Sequence, residues 1–205
     1  MSQLVLFDLL MRGASIGIFT LLLARLLSKR PLRFLELSFS ALVISLIVYV
    51  VVSSPTPLVP GGAFGIALSY FPILAPFLLW WCGLAFFDDE FAPRLWHALP
   101  AALMVVPVAL IDVALWIAFV RTAAIVALYA HLIVVVVKSG AADLVEERRR
   151  FRRWFIMFAV VFGAVVEFAE VSSVDHSLPL RIFPFQAAGV LVLVAAFAFW
   201  SLRIS

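Results

Sequence analysis

The chain has 205 residues, 66% of them hydrophobic and only 13% charged, with a mean hydropathy of +1.19. A soluble domain is nearer half apolar and a quarter charged, so this sequence lacks the polar surface to coat a globule and points to a polytopic helical membrane protein. A pI of 9.5 raises nucleic acid as a partner, but most basic residues sit at the ends of apolar runs, where membrane loops carry them; the single cysteine, Cys82, excludes a disulfide framework and a cysteine-based metal site.

Apolar runs long enough to cross about 30 Å of hydrocarbon predict seven helices. They cover 4–27, 34–53, 63–87, 96–119, 121–138, 154–173 and 184–202, in one all-α transmembrane domain over 1–205. The N-terminus has no positive n-region, because Asp8 precedes the first basic residue, Arg12. The first segment is therefore expected to be a retained helix and not a cleaved signal peptide. Asp8 and Arg12 stand four residues apart, on one helical face, where they can form a local ion pair. The second segment is followed by "SSPTPLVPGG" (53–62), which carries no charge. Pro72 and Pro76 in the third segment, and Pro100 and Pro107 in the fourth, each remove a backbone donor and predict kinks. The stretch from 96 to 138 is too long for one helix, and the hydrophilic "FVRTA" (119–123) is taken as a tight turn between two. Asp112 falls in the fourth segment and His131 in the fifth, two residues after Tyr129. Glu167 and Glu170, three residues apart in the sixth, share a face.

Between the fifth and sixth segments lies "DLVEERRRFRR" (143–153), with five arginines and three acids. With the N-terminus outside, the inner ends and loops hold Arg25, Lys29, Arg30, Arg33, Arg94, Lys138, Arg148, Arg149, Arg150, Arg152, Arg153 and Arg203. The outer side holds only Arg121 and Arg181. This asymmetry predicts an N-out, C-in orientation. The arginines, with Asp88 and Asp89 in the preceding inner loop, are read as topology and lipid anchors or as a signal-relay surface. DNA contact by this stretch is not expected.

An ionisable group in hydrocarbon is a site hypothesis by default. Counting at 1.5 Å per residue from Trp154 puts Glu167 about 20 Å into the membrane and Glu170 about 24 Å. Asp112 reaches a similar depth, and Asp8 and Arg12 lie in the outer third. The embedded charges thus gather in the outer half, and Asp8, Arg12, Asp112, His131, Glu167 and Glu170 form the candidate ligand-binding set. The blander readings are solvation of the carboxylates by headgroups and a packing role for His131. No metal site and no cofactor are expected. Both lysines, Lys29 and Lys138, lie at segment ends, which excludes a retinal Schiff base despite seven helices. No Gly-rich phosphate loop, G-x-S-x-G or H-E-x-x-H is present, so no enzyme is expected.

Four segments together carry a family resemblance: "RGASIG" (12–17), "SSPTP" (53–57), "LAFFDDEFAPRLWH" (84–97) and "DLVEERRRFRRWF" (143–155). Their order and spacing resemble the N-terminal membrane domain of membrane-anchored AraC/XylS-type transcriptional regulators of Gram-negative bacteria. The likeness covers most of the chain, and F-D-D-x-F and D-L-V-E-x-R-R-x-x-R are its most specific parts. It implies a seven-helix domain in a bacterial inner membrane, followed by a cytoplasmic helix-turn-helix domain. This sequence departs from that pattern by stopping at "FWSLRIS"; the DNA-binding part is either removed or naturally absent, and no direct nucleic-acid binding by this chain is expected. The expected function is a sensory membrane domain with a polar pocket for a small ligand, with membrane lipids as partners. A homo-oligomer or a cytoplasmic regulatory partner is left open. The alternative is a small ion or proton transporter or channel using the intramembrane carboxylates.

Overall fold

The computed structural model describes residues 3–28, 31–54, 58, 62–87, 91–109, 116–138, 146–173 and 183–203. Among the described residues the regular structure is helical, with no strand. In order, the helices are α1 (Gln3–Leu27), α2 (Phe34–Val52), α3 (Ala63–Ser69), α4 (Ala75–Phe87), α5 (Leu99–Ala109), α6 (Trp116–Lys138), α7 (Glu146–Ser173) and α8 (Phe183–Arg203). Taking Ala63–Phe87 as one interrupted helix, they follow the seven predicted segments in order. Among the described residues, four stretches are long and apolar enough to cross a membrane: Gln3–Leu27, Phe34–Val52, Ala63–Phe87 and Phe119–Lys138.

Three boundaries differ from the sequence-based expectation, each for a local reason. The third segment is divided by a 3-10 turn at Pro72–Leu74, where Pro72 and Pro76 cannot donate to the helical ladder. The carbonyl of Phe71, at this break, accepts a hydrogen bond from the Ser45 hydroxyl at 3.0 Å, so a neighbouring helix satisfies a group the break exposes. Gly62 opens α3 at φ 96°, a backbone that glycine adopts without a Cβ penalty. The expected turn at 119–123 lies instead inside α6, which starts at Trp116. That stretch contains no Pro or Gly, and one arginine does not interrupt a helix. Finally, α7 is helical already from Glu146, ahead of the expected Trp154, because the acid- and arginine-rich run is itself a good helix former. At 28 residues, α7 is about 42 Å long.

The chain divides into two compact units. One comprises Met1–Leu32, Val43–Pro72 and Val165–Ser205, and in it α1 packs along α8. The buried stripe of α1 is Asp8, Arg12, Ser15, Phe19 and Leu22. Its steps of four and three residues hold one face of a 3.6-residue helix, polar in the first half and apolar in the second. On α8 the corresponding stripe is Ala187, Val190, Val194 and Phe197.

The other unit comprises Arg33–Leu42 and Ile73–Ala164. Its core joins Phe77, Trp80 and Leu84 of α4 to Met104 of α5, Ile125, Leu128, Leu132 and Val136 of α6, and Ile156 and Val160 of α7. Two glycines let α6 approach its neighbours. A Cβ on Gly83 would meet Leu132, and one on Gly163 would meet the Tyr129 hydroxyl. Gly13 and Gly17, the small residues of "GASIG", meet nothing within 4 Å, so they mediate no close contact among the described residues.

Candidate functional site

Helical geometry alone puts Asp8 and Arg12 one turn apart on α1, and burial then makes them partners. Arg12 Nε donates to Asp8 Oδ2 at 2.8 Å, with both side chains almost fully buried. In so dry a place an unpaired charge costs several kcal/mol, so each group neutralises the other. Arg12 reaches further. Its Nη1 donates to the Val50 carbonyl at 2.6 Å and to Ser53 Oγ at 2.8 Å.

Val50 is in the last turn of α2, whose carbonyls have no intrahelical donors. Ser53 N–H serves Tyr49 at 2.9 Å and Ser54 N–H serves Val51 at 3.4 Å; the guanidinium of another helix serves Val50. A cation there also meets the negative end of the α2 dipole. Arg12 therefore caps α2 from α1, while its neutralising partner stays on its own helix.

The centre keeps further hydrogen-bonding capacity. Arg12 Nη2 and Asp8 Oδ1 are buried and have no hydrogen-bond partner among the described residues. The ion pair is thus single-pronged, with one donor edge and one acceptor oxygen left over. An oxygen that accepts from one and donates to the other would complete it. One turn on, Ser15 is fully buried and returns its hydroxyl to the Met11 carbonyl at 2.8 Å. The same unit holds Glu167 of α7, buried at 9% exposure, and Gln186 near the start of α8, whose buried Oε1 has no partner among the described residues.

The other predicted site residues fall elsewhere. His131 belongs to the second unit, where its Nδ1 accepts the Trp80 indole N–H at 2.9 Å. With Nδ1 an acceptor, the neutral ring carries its proton on Nε2. Trp80 also packs edge-on against the buried His97, which in turn contacts Phe91 and Trp96. His97 Nδ1 accepts the Arg94 backbone N–H at 2.8 Å, fixing the turn that leads into α5. His131 is thus held in an aromatic–histidine cluster. Asp112, Asp88 and Asp89 lie outside the described residues. Glu170, Arg148, Arg149, Arg150 and Arg152 are placed on α7 by its backbone, their side chains being outside the described residues, and Arg153 is half-buried.

Among the described residues no group of three or more His, Cys, Asp or Glu side chains is arranged to hold a metal ion. Sequence reasoning missed Ser53 and the Val50 carbonyl as partners of Arg12. The signal available for them was a buried cation on one helix and a helix end on the next. No protein-family model, curated protein or solved structure matches the chain.

Proposed function

We propose that this chain is the sensory membrane domain of a membrane-bound transcriptional regulator, with its seven helical segments spanning a bacterial inner membrane N-out, C-in. A small polar ligand binds in the outer half at the Asp8–Arg12 centre, with Glu167 contributing from α7. The observation that supports this reading is the incomplete ion pair: an arginine nitrogen and a carboxylate oxygen, both buried, each with capacity unused. Because the same guanidinium caps α2, a ligand that draws on Arg12 alters the tie between α1 and α2. Binding is thereby converted into a change in helix packing.

A proton or ion path along these carboxylates is less well supported. Asp8 is already neutralised at 2.8 Å, and beyond Ser15 the buried stripe of α1 turns to Phe19 and Leu22. The test is a transcript profile of cells making the chain in its natural context, compared with cells lacking it. The same comparison is made with Arg12→Gln and Glu167→Gln at matched membrane levels. The proposal expects a set of transcripts that follows the wild type and is lost in both variants. Identical profiles in all four strains would reject it.

A further inference from the structure

The arginine-rich first part of α7 takes no part in the centre described above. We infer that residues 146–154 form a binding surface for anionic phospholipid headgroups. Helix α7 is continuous from Glu146 to Ser173. At about 42 Å it exceeds a hydrocarbon core of about 30 Å. On the spanning arrangement proposed above, its apolar part starts at Phe155, so the excess is this basic segment, which continues as helix beyond the hydrocarbon.

The junction is marked by Trp154, 72% exposed, the residue type that settles at headgroup level. Five arginines stand here against Glu146 and Glu147. An anionic partner suits this excess of positive charge, and phosphate suits it best, because a guanidinium forks onto two phosphate oxygens and lysine cannot. No lysine occurs in the segment. Steps of about 100° place positions 148, 149, 150, 152 and 153 within an arc of about 200°. That broad face can meet several headgroups at once.

Trp154 is a built-in reporter. The full chain is reconstituted in phosphatidylcholine bilayers containing a minor fraction of brominated phosphatidylglycerol, or the same fraction of brominated phosphatidylcholine. Quenching of Trp154 is isolated as the difference between wild type and Trp154→Phe. A basic residue close to an anionic surface contributes about 1 kcal/mol, so phosphatidylglycerol should be enriched about fivefold beside Trp154. The enrichment should fall towards unity in Arg149→Gln/Arg153→Gln and shrink with added salt.

Equal quenching by the two lipids in the wild type, a comparison that needs no arginine variant, would overturn the inference. So would arginine-dependent binding of a labelled DNA duplex without lipid preference. Neither outcome touches the Asp8–Arg12 proposal, which concerns a different unit of the chain.

Discussion

Removing Arg12 perturbs two structures at once. Arg12→Met keeps the apolar stem of the side chain but deletes the partner of Asp8, 2.8 Å away, and the donor to Val50 and Ser53. Deleting one member of a buried ion pair costs about 3–5 kcal/mol, because the remaining charge is stranded or must take up a proton. The lost cap adds about 1 kcal/mol at a carbonyl with no replacement donor. Polar contacts inside membranes often measure lower, about 0.6 kcal/mol on average, so an observed loss of about 3 kcal/mol is expected. The assay is unfolding of the micelle-embedded chain with increasing SDS, followed by helical circular dichroism.

The diagnostic is the cycle with Asp8→Leu. Each single change strands a charge, whereas the double change Asp8→Leu/Arg12→Met strands none. The double variant should therefore be more stable than Arg12→Met alone, with a coupling of about 2 kcal/mol or more. A cost below about 0.5 kcal/mol for Arg12→Met, or additive costs in the double variant, would refute the reasoning.

Further substitutions separate the contacts in the same assay. Ser53→Ala removes one of two Nη1 acceptors and should cost about 0.5–1.5 kcal/mol, well below Arg12→Met. Gly83→Ala places a methyl against Leu132 and should cost about 1–3 kcal/mol; combining it with Leu132→Ala should cost less than the sum of the two single changes. Gly13→Ala and Gly17→Ala meet open space and should be neutral or stabilise by up to about 1 kcal/mol through helix propensity. A loss at either glycine would show a contact absent among the described residues. Trp80→Phe keeps the aromatic packing but deletes the donor to His131, at a cost of about 1 kcal/mol.

Much of the helical outline was legible because apolar run length and membrane thickness are coupled, and α1, α2 and α8 lie within a residue or so of their predicted bounds. Local one-turn chemistry was equally legible, since Asp8 and Arg12 need only α1 to meet. The α6 start was not, because a single Arg121 looks like a break to a hydropathy window yet costs the helix little. Nor was the cap on Val50, since a backbone carbonyl leaves no residue signature and its donor lies 38 positions away. His131 shows the limit of reasoning by residue type. A histidine and two carboxylates in one span list suggested a common site, but its partner is Trp80, which only the packing of α4 on α6 could supply.

The most direct test of the central claim is ligand-dependent stability at Arg12. Purified chain in micelles is titrated with small-molecule fractions of the medium and extract of the cells that make it, and Tm is read for wild type and Arg12→Gln. The account predicts at least one fraction that raises the wild-type Tm and leaves Arg12→Gln unmoved; a stoichiometric ligand at 100 times its Kd adds about 2.7 kcal/mol, a shift of several degrees. Stabilisation of both forms to the same extent, or of neither by any fraction, would contradict it.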